Sequence, residues 1–272
     1  MDTRLTVIVD NISDNGIRGE WGLSILAEHG GKQILIDAGA SGLFAENLKK
    51  LGFDIGSINY GVLSHAHCDH GNGIPTFLNE NKKVVFYLRK TAEEGCYGKI
   101  LFFKVYAGLP RTLDKDYHDR IRYVDGDYTL CDGVYLIPHK TDGLSTIGKR
   151  EGMYRRTSSG WIPDDFSHEQ SVVIDTDKGL VIINSCSHGG AVNIIGEVEM
   201  TFPEKRIYAY IGGLHLWNKS RKEIESTARE IAKRSISYVY TGHCTKNRAY
   251  GIMKDILGDK LGQLKTGLVI DI

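Results

Sequence analysis

Three histidines and an aspartate fall within six positions of the segment "VLSHAHCDHGNG": His65, His67, Asp69 and His70. Neutral imidazole and carboxylate are ligands for divalent metal ions. In an extended segment His65 and His67 project to the same side, so they can bite one ion together. Asp69 and His70 follow a turn and can face a second ion. Two ions about 3.5–4 Å apart can share a bridging hydroxide, lower its pKa and polarise a carbonyl or phosphoryl oxygen. More histidines stand where apolar runs end: His188 after "GLVIINSCS", His215 after "YAYIGG" and His243 after "ISYVYTG". Neighbouring strand ends converge on one edge of a sheet, where loops aim side chains and the sheet stays rigid.

The elements that must bring these histidines together are legible in part. "LTVIVD" (5–10) reads as a strand. "LSILAEH" (23–29) and "KQILIDAG" (32–39) flank Gly30–Gly31, a hairpin signal. The spacing of Leu43, Phe44, Leu48 and Leu51 predicts a helix over 41–52, with Ser41 as N-cap and Gly52 as its stop. "YGVLSH" (60–65) is a buried-type strand that delivers the first histidines, and "KKVVFYL" (82–88) is another. Residues 90–168 lack a long periodic segment. Apart from the short strands "RIRYVD" and "GVYLIPH", they read as an elaborated loop region over or beside the site. Asp177–Lys178–Gly179 marks a second hairpin. Strands at 206–216, 236–245 and 266–271 and helices at 220–235 and 249–258 follow. With no repeat, linker or low-complexity tract, one domain over 1–272 is the simplest reading.

Lys plus Arg equals Asp plus Glu, 34 each, so net charge gives no electrostatic reason to expect nucleic acid or an anionic membrane as partner. The apolar fraction, 41 %, permits a sizeable core. Five cysteines without a CxxC pair argue against a disulfide framework and fit a reducing compartment. The N-terminal apolar run is too short for a signal peptide, and no run approaches the ~18 residues of a membrane span. The expectation is a cytoplasmic protein acting on a small molecule. Glycine-rich nucleotide loops and the G-x-S-x-G and H-E-x-x-H motifs are absent.

"SHAHCDHGNG" matches the H-x-H-x-D-H signature and resembles the metallo-β-lactamase superfamily along nearly the whole chain. "ILIDAG" looks like its first motif, and "NSCSHGG" and "TGHCT" like later ones. The combination "CSHGG…GGLHL…GHCT" is similar to the branch of 7,8-dihydropterin-6-methyl-4-(ribofuranosyl)-aminobenzene-5′-phosphate synthase-like proteins, many of which are called metal-dependent hydrolases. The resemblance implies an α/β fold, the four-layer αβ/βα sandwich, with the site at one edge between two mixed sheets. It implies that His65, His67 and a later histidine hold one ion, and that Asp69, His70 and His243 hold the other. The later histidine is expected to be His188; a rival alignment of "HEQS" makes it His168. Asp37 would orient the histidine loop. Where many members place a bridging Asp, this chain has Ser185–Cys186, so Cys186 as thiolate, His188 in part, or water alone would bridge.

The expected function is a dinuclear hydrolase that attacks an ester, phosphoester or lactone-like centre through a metal-bound hydroxide. Zinc is the expected ion, with manganese or iron as alternatives. Asp69 and His215 are the expected catalytic residues, His215 positioning substrate or shuttling a proton. Lys and Arg of "KREGMYRR" (149–156) would meet an anionic substrate, though a solvated charge run explains them equally well. One alternative is a pterin-linked synthase releasing diphosphate. Another is a metal-retaining binding or redox protein. His29, His118 and His139 read as surface or structural, and oligomeric state has no signal in the sequence.

Overall fold

The computed structural model describes residues 2–14 and 16–272. Seven strands form the first sheet, in spatial order Val269–Asp271, Thr3–Val9, Ser24–His29, Lys32–Ile36, Tyr60–Val62, Phe86–Arg89 and Ile121–Val124. Seven more form the second: Leu261–Gln263, Tyr238–Thr241, Ile207–Ile211, Gly179–Ile183, Gln170–Thr176, Val134–Pro138 and Tyr128–Cys131. Both sheets are mixed. In the first, Thr3–Val9, Ser24–His29 and Lys32–Ile36 are antiparallel, and the later pairs are parallel. The expected Gly30–Gly31 turn joins the second and third of these, with both glycines at positive φ.

Alternation of apolar residues explains the layering. Val7, Ile25, Ile34 and Val62 of one sheet face Leu136, Val172, Ile174, Val181 and Ile211 of the other, in a cluster with almost no solvent exposure. The opposite face of the first sheet packs Leu35, Phe86 and Leu88 against Phe44, Leu48 and Phe77 of the helices Leu43–Lys50 and Ile74–Glu80. The opposite face of the second packs Val173, Ile182 and Tyr210 under the helices Ala191–Thr201, Arg221–Ala232 and Lys246–Leu257. The result is helix, sheet, sheet, helix. The helix Arg221–Ala232 is closed at its start by the reciprocal Ser220–Glu223 capping box and buries Ile224, Ala228 and Ile231.

One expectation needs correction. The region 90–168 is built structure. Cys96–Ile100, Phe103–Tyr106, Met153–Thr157 and Gly160–Pro163 form a separate four-stranded antiparallel sheet, while Ile121–Val124 and Tyr128–Pro138 extend the two main sheets. Two short hairpins, 96–106 and 153–163, make up this sheet, and the pairing that joins them, Tyr97 with Tyr154, spans more than 50 residues, so no local period reveals the sheet. The helix Ala191–Thr201 went unread, although Ala191, Ile194, Ile195 and Val198 stand at helical spacing. It turns Ile194, Ile195 and Val198 inward and leaves Met200 exposed. Among the described residues, no helix is long and apolar enough to cross a membrane.

Candidate metal centre

His65, His67, Asp69, His70, His188 and His243 meet at one edge between the two main sheets. His65, His67 and His188 form one group with ligand atoms within 4.8 Å of each other, and Asp69, His70 and His243 form a second. Cys186 belongs to a group with His65 and His70 and to another with His243 and Cys244, so it stands between the two. The turn after His67 is a short helix, Cys68–Gly71, which swings Asp69 and His70 toward His243.

The second group has the dimensions of an ion site. His70 Nε2 lies 3.2 Å from His243 Nε2, and Asp69 Oδ2 lies 3.7 Å from the first and 3.4 Å from the second. Four ligands at about 2.1 Å in a tetrahedron stand about 3.4 Å apart. Cys186 Sγ, 3.3 Å from His70 Nε2, sits where a fourth would.

Hydrogen bonds elsewhere on the rings decide which nitrogens face the centre. His70 donates from Nδ1 to Asp37 Oδ2 at 2.7 Å. His65 Nδ1 is held by Ser64 Oγ at 2.8 Å, and that hydroxyl donates to Asp37 Oδ2. His243 donates from Nδ1 to Asn11 Oδ1 at 3.1 Å. Each ring thus turns an unprotonated Nε2 inward, the state a metal ligand needs. The Nε2 atoms of His65 and His67 and both ring nitrogens of His188 are buried with no hydrogen-bond partner. A buried unsatisfied nitrogen costs about 1–3 kcal/mol, and this many converging on one point fits a bound cation. Burial alone pushes the His65 and His188 imidazoles well below their usual pKa, and neighbouring histidines push them further. Burial raises the Asp69 carboxyl, but His70 and His243 overcome it and hold it ionised.

His168, the alternative first ligand, is placed differently. Its Nδ1 accepts the backbone N–H of Ala66 at 3.1 Å, and its Nε2 bonds Asp164 Oδ2 at 3.1 Å. An acceptor Nδ1 requires the proton on Nε2, so no lone pair remains for an ion. His168 instead pins the peptide between His65 and His67. Cys96, His67, Asp164 and His168 also lie close together, and with its proton on Nε2 toward Asp164, His168 offers that group no lone pair.

The sequence reading missed several supports. Asp10 is fully buried and accepts the backbone N–H of His243 at 2.9 Å, and burial raises its carboxyl to about 6. It ends the run "LTVIVD" as Asp37 ends "ILID", so the same acid-at-strand-end signal was present. Glu169 accepts the backbone N–H groups of His188 and Gly189 at 2.9 and 3.0 Å. His139 bridges Glu169 at 2.6 Å and Glu197 at 3.1 Å, and a Cβ on Gly189 would strike its ring at 2.2 Å. The structural reading of His139 therefore holds, though it is buried. Burial lowers its pKa, but Glu169 and Glu197 prevail and raise it to about 9. A group raised in the folded state stabilises fully below its unfolded value, about 6.5, and loses that stabilisation as pH rises through about 9. Urea unfolding is expected to show about 3 kcal/mol less stability at pH 9.5 than at pH 6.5, most of it gone in His139→Gln. A pH-independent difference between wild type and variant would refute this.

His215 stands at positive φ (+47°), its ring 4.2 Å from that of His188. Burial holds its pKa down at about 4 against the pull of Glu151. Both rings line a cavity of about 280 Å³ that runs to Arg150, Lys219 and the start of the helix Ala191–Thr201.

The fold and the histidine-rich edge agree with sequence comparison: residues 22–190 match the model of the metallo-β-lactamase superfamily, and the chain belongs to that family. It is 28 % identical to the 7,8-dihydropterin-6-methyl-4-(β-D-ribofuranosyl)-aminobenzene-5′-phosphate synthase of Methanocaldococcus jannaschii, over 88 % of this chain and 84 % of that protein. Among solved structures it is similar to Tm1679, a metal-dependent hydrolase of the β-lactamase superfamily (TM-score 0.84, 28 % identity, 99 % of both chains). Zinc-bound PqqB from Methylobacterium extorquens shares the fold at 10 % identity, with TM-score 0.61 over 99 % of this chain and 100 % of that one. The superfamily typically binds divalent metals.

Proposed function

We propose that the chain is a dinuclear metal-dependent hydrolase of a small ester, phosphoester or lactone-like molecule, with zinc as the resident ion. The observation that carries this reading is the convergence of histidine nitrogens in two adjoining groups: those of His65, His67 and His188 have no hydrogen-bond partner, and the Nε2 atoms of His70 and His243 face each other beside Asp69. His65, His67 and His188 would hold one ion, Asp69, His70 and His243 the other, and Cys186, which stands between the two groups, would add a thiolate donor. When bound, such a pair supplies a water nucleophile at neutral pH and polarises the oxygen under attack. The chain's own groups do the rest. Asp37 and Asn11 fix the ring orientations. Asp69 adds the negative charge that balances the cations, and His215 positions the substrate at the mouth of the adjoining cavity. Lys219 and Arg150, which also line it, suit an anionic substituent. Their partial pairing with Glu151 limits how much charge they offer. Five unpaired cysteines suit a reducing cytoplasm.

The methanogen relative supports a second reading, transfer to a pterin with loss of diphosphate. Purified protein, stripped with chelator and reloaded with zinc, manganese or iron(II), separates the two. Metal-dependent cleavage of generic phosphodiesters or lactones without a pterin donor is expected. Turnover only when pterin diphosphate and an aminobenzene acceptor are both supplied would overturn hydrolysis, and undiminished cleavage after metal removal would overturn the metal role.

A further inference from the structure

A second cavity, about 220 Å³, opens on the other side of the cluster, beside His243. Its walls include Trp21, Tyr250, Lys246, Asn247 and Gln263, and no carboxylate lines it. Trp21 is 46 % exposed although its ring centre is 5.0 Å from that of His243. The Lys246 ammonium lies 4.4 Å from the indole centre and has no carboxylate partner among the described residues. Gln263 donates from Nε2 to Asn247 Oδ1 at 2.9 Å, which leaves Asn247 Nδ2 as a donor and Gln263 Oε1 as an acceptor on the same wall. Asn11 ties this wall to the metal cluster: it accepts from Gly22 N–H, next to Trp21, and donates to the carbonyl of His243. His243 and Lys246 both hold positive φ, +47° and +59°. For residues other than glycine that conformation is costly and collects at functional sites.

These features share one explanation. An exposed indole beside a reactive centre is a stacking platform. A cation over its face contributes only about 0.5–1 kcal/mol at an exposed site, so an incoming ring displaces it readily. The displaced ammonium then meets negative charge on the ligand, and the paired amides match a donor–acceptor edge. We propose that this cavity is an aromatic subsite that takes a planar heteroaromatic ring with an amide- or amidine-type edge and an anionic substituent, stacked on Trp21. The inference rests on reading the neighbouring cluster as a metal centre, and it deepens the proposed function by naming the substrate class.

The test is direct binding, which needs no turnover. Metal-free and zinc-loaded protein are titrated with pterin-6-carboxylate and with adenosine 5′-monophosphate, and tryptophan emission is followed. Saturable quenching is expected with at least one probe. The dissociation constant should rise roughly tenfold or more in Trp21→Leu, as expected for loss of one stacked ring, and severalfold in Lys246→Ala. Trp21→Phe should retain most of the affinity, and Trp161→Phe all of it. Unchanged affinity in Trp21→Leu, or no saturable binding of either probe at millimolar concentration, overturns the subsite. Probe binding through Trp21 without cleavage of any ester leaves the subsite standing and counts against hydrolysis. Cleavage without probe binding does the reverse.

Discussion

His188→Ala is expected to bind one metal ion fewer per chain than wild type and to lose about three orders of magnitude in turnover. His188 reaches the cluster from a loop far from the H-x-H-x-D-H segment, and its ring is fixed from several sides. Glu169 holds its backbone N–H, Phe166 stacks on it with centres 5.0 Å apart, and neither ring nitrogen has a protein partner. Nothing within the fold replaces it. His168→Ala gives the contrasting result: the ion count stays at wild-type level and affinity weakens by about 10–100-fold, because the residue supports the Ala66 peptide without contacting an ion. Elemental analysis of dialysed protein reads both. Should His168→Ala lose the ion while His188→Ala keeps it, the tautomer argument is wrong and the first site must be redrawn.

Asp37→Ala carries the second large effect, and it falls on stability as well as on metal binding. Asp37 is fully buried, adopts φ +59°, and accepts three hydrogen bonds at 2.7 Å, from Ser64 N–H, Ser64 Oγ–H and His70 Nδ1–H. Its removal strands those donors in the interior. The expected cost is about 3–5 kcal/mol in metal-free protein, which lowers the melting temperature by on the order of 10 °C. Metal affinity should fall about 10–100-fold at both sites, since His70 is held directly and His65 through Ser64. Asp37→Asn keeps the volume and separates the two effects. It should recover much of the stability and little of the affinity, because an amide cannot accept from every donor that faces it. Calorimetry on stripped protein and competition with a zinc chelator measure the two quantities. A stable Asp37→Ala protein with wild-type zinc affinity would show that the histidine loop holds itself.

How much of this was legible depended on the range of the signal. The hairpins at Gly30–Gly31 and at Asp177–Lys178, and the capped helix Arg221–Ala232, were readable because turn chemistry and helical period act over a few residues. The helix Ala191–Thr201 was passed over, although its apolar residues repeat at helical spacing, because it is short and follows directly on the strand-end loop that carries His188. The separate sheet of 96–106 and 153–163 was not readable, since its pairing joins Tyr97 to Tyr154 across the chain. Glu169 and the carboxylate partners of His139 escaped for a related reason. They act on backbone groups and rings that only the fold brings near, as does Trp21 beside His243.

The sequence alone determined the donor atoms: which residues can bind a cation, the same-side placement of His65 and His67, and the arrival of later histidines at strand ends. Those follow from side-chain chemistry and the two-residue repeat of a strand, both local. Only the tertiary structure placed His188, with both ring nitrogens unpartnered, beside His65 and His67, tied both nitrogens of His168 to other groups, and set Cys186 between the two groups. These depend on which nitrogen is already engaged by a distant backbone or carboxylate group, and that is set by how the two sheets stack.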